Sequence, residues 1–210
     1  VMTISNIPKL TPSDIVIDQQ VHLDPAMNNL HVDVLIIGAG FAGIYLLHRL
    51  RQRGYNVKIF DAANGVGGTW RLNCYPGARV DSDVPVYELS IPEVWKSWTW
   101  SELYPGGKEI REYFEHCDKV LEIRKDVAFN TKVTAASFDT VEGRWNIRTE
   151  DGRTCKAKYF ILCVGFAAKR YIPDFPGLDT FKAMFKLFKN FMVSNLKNKW
   201  YLTKNFHYVY

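Results

Sequence analysis

Three glycines between residues 38 and 43 have the spacing of a site that holds a diphosphate. Gly38, Gly40 and Gly43 form a G-x-G-x-x-G pattern. Such a site needs a tight turn, a position without a Cβ where phosphate oxygens approach the backbone, and close packing of a helix on a strand. It also needs a helix N-terminus, because the helix dipole and its free N–H groups favour negative charge there. The pattern alone is weak, so its meaning depends on the elements that position it.

Those elements are present on both sides of the glycines. Residues 31–38 form an apolar run typical of a buried strand, and apolar spacing predicts a helix over 44–53. A second strand over 56–60 ends at Asp61, which lies 18 residues after the third glycine. Its carboxylate can accept hydrogen bonds from ribose hydroxyls and disfavours a 2′-phosphate. Together these features predict a βαβ unit with a dinucleotide site.

The rest of the chain predicts an α/β fold with a Rossmann-like parallel sheet and a small inserted β-meander. Residues 62–107 carry few periodic signals but are rich in Gly, Pro and Trp, which is typical of a functional loop region. We expect a helix over 108–123. We expect strands over 127–135, 136–140, 144–149 and 158–164, with turns at Glu142-Gly143 and Asp151-Gly152.

A second glycine cluster favours FAD over NAD as the dinucleotide. Gly65, Gly67 and Gly68 come directly after Asp61. They let the backbone run beside an extended cofactor, whereas an NAD-only dehydrogenase would normally continue into another helix.

From this cluster onward the sequence resembles the Baeyer–Villiger monooxygenases, a branch of the flavin monooxygenases. The resemblance covers about residues 31–181. It rests on Gly67-Gly68-Thr69-Trp70, on Asn73-Cys74-Tyr75-Pro76-Gly77-Ala78-Arg79-Val80-Asp81, on Tyr87, on Trp98-Thr99-Trp100, and on Pro173 with Pro176-Gly177-Leu178. Asn73-Cys74 and Val80 resemble the fungal secondary-metabolite members of the family.

The resemblance implies an FAD/NAD(P)-binding fold and an FAD-dependent monooxygenase that uses NADPH and O2 to convert a ketone into an ester or lactone. It implies that Gly68, Thr69, Trp70, Arg71 and Leu72 lie along the flavin and that Tyr87 contacts FAD. It further implies that the backbone of Val133 binds the adenine, that Arg79, Val80 and Asp81 touch NADP, and that Asp81 is a carboxylate that orients an active-site cation. Arg71 and Leu72 replace aromatic residues that are common in the family. No other catalytic residue is assigned.

Charge and cysteine usage limit the other functional classes. The net charge is +5, but six lysines and no acid lie between residues 180 and 210, so the first 179 residues sum to about −1 (+5 − 6). This distribution argues against nucleic-acid binding. The four cysteines form no C-x-x-C or metal spacing, so we expect no metal site and a reduced protein. Without an apolar signal or an 18-residue apolar run, the chain is predicted to be cytoplasmic.

We predict three segments: an N-terminal arm over 1–30, the N-terminal part of an FAD-binding domain over 31–181, and a basic aromatic tail over 182–210. The tail is atypical of the family and suggests a truncated gene product. The alternative function is therefore a non-catalytic FAD-binding remnant or a subunit that a partner chain completes. An N-hydroxylating flavin enzyme is a weaker alternative. The tail also has an amphipathic helical pattern, which could lie on an anionic membrane, cover exposed core or dock on its own domain.

Overall fold

The computed structural model describes residues 28–165 and residue 176 of the 210-residue chain. The elements, in chain order, are β1 (Leu30–Ile37), α1 (Phe41–Arg51), β2 (Val57–Phe60), α2 (Thr69–Leu72), α3 (Pro92–Trp95), α4 (Gly107–Leu121), a 3-10 turn (Arg124–Asp126), β3 (Val127–Ala128), β4 (Val133–Asp139), β5 (Arg144–Thr149) and β6 (Thr154–Leu162). Nearly all of the predicted arm, the tail over 182–210 and most of the proline-rich segment at 173–178 lie outside the described residues.

The six strands form one mixed sheet in the order β3-β2-β1-β6-β5-β4. The first four of these are mutually parallel, and β5 and β4 are added in antiparallel fashion. β6 pairs with β1 along almost its whole length, while β5 reaches only residues 154–157 of β6. The predicted α/β fold with a parallel sheet and a meander is therefore confirmed, and the meander extends the same sheet.

The predicted strand over 127–135 is wrong, because the chain breaks it at residues 129–132. β3 pairs in parallel with β2, whereas β4 starts at Val133 and pairs antiparallel with β5 on the opposite side of the sheet. The connecting segment contains Asn130 with a positive φ of 51°. Apolar composition marks strand residues but carries no information on strand direction.

Other boundaries shift by a few residues. α1 begins at Phe41, three residues before the predicted start, because the helix opens directly after the glycine turn. β6 begins at Thr154 instead of residue 158. The turns at Gly143 and Gly152 are confirmed, and both glycines have positive φ.

The main core lies between the sheet and the helices α1 and α4. Ile36, Ile44 and Ile59 are fully buried there against Phe114 of α4. A smaller core joins β1 and β2 to the meander around Leu35. Both cores support the ends of β1 and β2, where the predicted site begins.

A charged cluster fastens α1 and β2 to the turn before β3. Asp126 accepts hydrogen bonds from Arg51 Nε at 2.6 Å and Lys58 Nζ at 2.5 Å. Arg51 also donates to the Leu121 carbonyl at the end of α4, at 2.8 Å. Burial alone would raise the pKa of Asp126, but the two cations outweigh burial and hold this pKa below its usual value.

Replacement of this carboxylate tests the cluster. Asp126→Asn leaves Arg51 and Lys58 without their anion and should reduce the free energy of unfolding by about 1–3 kcal/mol at pH 7. Because the folded-state pKa is depressed, the contribution is present at neutral pH and is lost as the pH falls below about 4. Urea unfolding at pH 7 and pH 3 should therefore show a gap between the two proteins that shrinks at pH 3. Glu112→Gln, on the exposed face of α4, is the control. Equal stability of Asp126→Asn and the parent protein at pH 7 would contradict this role.

The four cysteines are free thiols with very different access to solvent. Burial raises the pKa of Cys117 and of Cys155 to about 12, and it also raises the pKa of the half-buried Cys163. Cys74 is exposed.

We therefore expect one fast thiol in the folded protein. The thiolate is the reactive form, so at pH 8 a disulfide reagent such as Ellman's reagent should label Cys74 first and reach the other three cysteines only on unfolding. Cys74→Ser should remove the fast phase. Any fast thiol that remains in that variant would show that the described packing is not kept in solution.

Candidate dinucleotide-binding site

Two of the three predicted glycines are required by the protein's own packing. Gly38 ends β1 with a φ of +106°, and a Cβ there would lie 2.5 Å from the carbonyl oxygen of Cys163 at the end of β6. A Cβ on Gly43 would lie 1.9 Å from the carbonyl oxygen of Gly38. Any side chain at either position would push α1 or β6 away from β1. The predicted roles in turn formation and close helix packing are confirmed.

Gly40 differs, because the protein itself does not require a glycine there. Its φ of −86° is open to any residue. A Cβ would meet nothing nearer than the Cα of Gly68, at 3.6 Å, which is an ordinary contact distance. The space beside Gly40 is thus bounded by a second glycine and contains no side chain. Packing therefore does not explain the glycine at position 40. A ligand that approaches the backbone would explain it, because such a ligand needs a position without a side chain.

The second glycine cluster forms the opposite wall of this space. The Gly67 N–H donates to the carbonyl oxygen of Ala39 at 3.0 Å, which joins the two loops. Gly68 has a φ of 53° and a ψ of −119°, a conformation that favours glycine. We call the space between Gly40 and Gly68 the glycine cradle.

The positive end of α1 opens at the cradle. Its N-cap residue, Gly40, has no side chain to bond the first turn, and that turn contains no acid. The last turn contains Arg49 and Arg51, which complement the negative end of the helix. The N–H groups of the first turn can therefore donate hydrogen bonds to an anion.

Asp61 supports the glycine turn directly, a role that the sequence did not reveal. It is 2% exposed, and its two carboxylate oxygens accept the N–H groups of Ala39 and Ala63, each at 2.6 Å. Its backbone also accepts the Thr131 N–H at 2.8 Å. Since a carboxylate offers about four acceptor positions, these bonds are compatible with sugar hydroxyls as further donors.

Three aromatic residues connect the cradle to the loop region. The ring of Phe41, next to Gly40, meets Tyr87 edge-on with centroids 5.1 Å apart. The Trp70 indole N–H donates to the Tyr87 hydroxyl at 2.9 Å. Trp70 is 8% exposed and is packed in the core, so its indole is a support for the loop.

The short helix α2 follows the cradle and holds three other predicted residues. Thr69 is exposed and Leu72 is half-buried. The Arg71 guanidinium turns toward the protein, where it donates to Asn64 Oδ1 at 3.1 Å and reaches Glu115 of α4 at 3.5 Å.

The predicted residues at 79–81 lie along a separate strip of backbone. Val80 is buried and its N–H donates to the Pro105 carbonyl at 3.2 Å. Arg79 pairs with Glu102 at 2.6 Å. Asp81 is exposed and forms no hydrogen bond or ion pair with another described residue.

Val133 is brought near the acidic end of β2. It is the first residue of β4 and is buried, two positions after Thr131, which bonds to the Asp61 backbone. The structure thus brings Gly38, Gly40, Gly43, Asp61 and Gly68 together, with Thr69 directly after them and Val133 near Asp61, while Val80 packs in the same core as Trp70. Sequence reasoning missed Phe41, Asn64 and Glu115, whose ordinary residue types carried no signal.

The described part of the chain contains neither a metal cluster nor a membrane-spanning helix. Residues 28–165 contain no group of three or more His, Cys, Asp or Glu side chains arranged to hold a metal ion. None of the helices over the same residues combines the length and apolarity needed to cross a bilayer.

Comparison with known sequences finds close relatives. The sequence model of the pyridine nucleotide-disulphide oxidoreductase family matches residues 32–200. An FAD-binding monooxygenase of Aspergillus aculeatus is 59% identical over 155 residues, which are 74% of this chain and 26% of that protein. Cyclopentanone 1,2-monooxygenase of a Comamonas species is 43% identical over 164 residues, which are 78% of this chain and 30% of the relative.

Solved structures give the same result. The NADP+-bound cyclohexanone monooxygenase of Rhodococcus sp. Phi1 superposes with a TM-score of 0.68 at 39% identity, over 73% of this chain and 29% of that enzyme. The chain therefore spans between a quarter and a third of the length of these relatives. The match of the family model over most of the chain, with these relatives, confirms the resemblance found in the sequence. The chain belongs to the pyridine nucleotide-disulphide oxidoreductase family, in which it is similar to FAD-binding monooxygenases of Baeyer–Villiger type.

Proposed function

We propose that this chain binds FAD through the glycine cradle. The observation that carries the proposal is Gly40, a glycine that neither backbone conformation nor packing requires. It lies at an uncapped helix N-terminus and faces Gly68. A diphosphate is the group that such a cradle accommodates, because it needs backbone N–H groups and no Cβ.

The neighbouring residues fit the rest of the adenine half of FAD. Asp61 lies at the end of β2 and would accept hydrogen bonds from the ribose next to the diphosphate. The backbone at Val133 would bind the adenine, since β4 starts beside Asp61 through Thr131. The exposed Thr69 and the half-buried Leu72 of α2 would lie along the flavin half.

We assign the remaining site residues by similarity to the family. Tyr87 would contact the flavin half from its place between Phe41 and Trp70. Arg79, Val80 and Asp81 would lie toward NADPH, with Asp81 exposed and available to orient a cation. Residues 31–181 would form the N-terminal part of the FAD-binding domain, after an N-terminal arm and before a tail over 182–210.

The activity we propose is NADPH-dependent oxygenation of a ketone to an ester or lactone, of the kind used in secondary metabolism. The names of the relatives support this class: one acts on cyclopentanone, and another is an acetone monooxygenase that forms methyl acetate. FAD, when bound, would supply the electron transfer and the oxygen chemistry. The chain's own contribution would be to bind the adenine half, exclude water from the cradle and present the carboxylate of Asp81.

The second candidate is a flavin-binding module that does not turn over alone. It is favoured by the G-x-G-x-x-G pattern at residues 38–43, which is the one such pattern among the 210 residues and provides a site for one dinucleotide. A partner chain would then complete the enzyme.

Spectroscopy separates the two candidates. The purified chain reconstituted with FAD should be yellow, with a flavin absorption band that survives gel filtration. Addition of NADPH without oxygen would bleach this band if the chain is a self-sufficient reductase. A yellow protein that stays oxidised would leave only the module. A protein that cannot retain FAD would overturn the proposed function.

A matched pair of glycine variants tests the cradle. Gly40 and Gly106 both precede long helices as N-cap residues with negative φ, and a Cβ at either meets no atom within 3.5 Å. Gly40→Ala should fold normally and lose FAD affinity about tenfold or more, because the new methyl group occupies the diphosphate position. Gly106→Ala should leave both the fold and the affinity unchanged. Equal FAD binding by the two variants, measured by flavin fluorescence, would contradict the assignment.

Asp61 is a less direct probe, because it holds the glycine turn as well as facing the ligand. Asp61→Asn would place an amide NH2 group against Ala39 or Ala63, two N–H donors. We expect a loss of about 1–3 kcal/mol in the free energy of unfolding, in addition to weaker FAD binding. Urea unfolding of the FAD-free protein measures the first effect, and unchanged stability would show that the Asp61 contacts do not support the turn.

A further inference from the structure

We propose that Arg71 is a positioning residue that braces the glycine cradle against α4. The inference rests on the proposed function only for its effect on FAD and can be tested without the cofactor. Arg71 follows the cradle by three residues and lies in α2. Its guanidinium is turned away from solvent, with 30% of the side chain exposed.

The guanidinium packs on the start of the loop, residues 64–68, that forms one wall of the cradle. Nε donates to Asn64 Oδ1 at 3.1 Å, at the start of the loop. A Cβ on Gly65 would lie 2.9 Å from the guanidinium carbon, so the planar group rests on the Gly65 backbone. The Arg71 N–H donates to the Gly68 carbonyl at 3.1 Å. Arg71 therefore contacts residues 64 and 65 through its side chain and residue 68 through its backbone N–H, and the last contact does not depend on the side chain.

The same guanidinium joins this loop to the helix behind it. Its Nη1 lies 3.5 Å from Glu115 Oε1 on α4. The other oxygen of Glu115 pairs with Arg124 at 2.7 Å, and Arg124 in turn pairs with Asp118 on the same helix. Glu115 is therefore held between two arginines, and its carboxylate is a fixed anchor for Arg71.

The contacts of Arg71 predict that it controls the width of the cradle, the distance between Gly40 and Gly68. The loop meets the glycine turn through one backbone hydrogen bond, from Gly67 N–H to the Ala39 carbonyl. Arg111 of α4 donates to the Trp70 carbonyl at 3.3 Å, but among the described residues Arg71 forms the one ion pair that joins this segment to α4. Without Arg71, the distance between Gly40 and Gly68 would fluctuate. Binding would have to order residues 64–68, and the free energy spent on that ordering would weaken the affinity for the ligand.

Amide hydrogen exchange of the FAD-free chain tests the brace itself. Arg71→Gln and Glu115→Gln should each speed the exchange of the Gly67 and Trp70 amides about three- to tenfold and leave the amides of β1 unchanged. Glu112→Gln, one turn earlier on α4 and paired only with the exposed Lys108, is the charge-matched control and should change nothing. Unchanged exchange at Gly67 in both test variants would overturn the proposal.

FAD titration then tests the consequence for binding. If Arg71 acts through Glu115, each single variant should weaken FAD binding about three- to tenfold, and the double variant should lose no more than either single variant. Arg71→Lys should restore affinity only in part, since one ammonium group cannot serve both Asn64 and Glu115. A loss with Arg71→Gln but none with Glu115→Gln would show direct contact of Arg71 with the ligand and overturn the brace. A parent chain that takes up no FAD would refute the proposed function, while the exchange data would still decide the brace.

Discussion

The site depends on two backbone contacts that leave no room for a Cβ. The end of β1 lies against the end of β6 at Gly38, and the first turn of α1 lies against that same residue at Gly43. This close packing fixes the start of α1 at the carboxyl ends of the parallel strands. Ligands of open α/β sheets bind at that edge. The helix N-terminus, its uncapped N–H groups and the space beside Gly40 all follow from these contacts.

A second layer of side chains holds this backbone arrangement without entering the cradle. Asp61 fixes the glycine turn through Ala39, and the contacts of Phe41 with Tyr87 secure the other side. The ion pair of Arg71 with Glu115 fastens the opposite wall to α4. The backbone therefore presents the binding groups and the side chains limit their motion. Such an arrangement suits a cofactor whose diphosphate must be held without being altered, while the chemistry takes place at its other end.

The sequence was sufficient for the features that depend on local pattern. The sequence predicted the βαβ unit around Gly38 and Asp61, because each of its elements is indicated by residue types and spacing within a short window. The break between β3 and β4 was not predicted, since the direction in which a strand pairs depends on a distant partner. Similarity placed Arg71 along the flavin, but its guanidinium points to Glu115, 44 positions later in the chain. Contacts over such separations leave no periodic trace in one sequence.

We propose that the cradle recognises the adenosine diphosphate part of FAD, and competitive titration can separate this part from the flavin. The chain would be titrated with FAD by fluorescence in the presence of ADP, which carries the adenosine and both phosphates, or of FMN, which carries the flavin and one phosphate. We expect that ADP displaces FAD and that FMN, which lacks the adenosine and has only one phosphate, competes at least tenfold more weakly. Displacement by FMN as effective as that by ADP, with no effect of Gly40→Ala on either, would contradict this proposal.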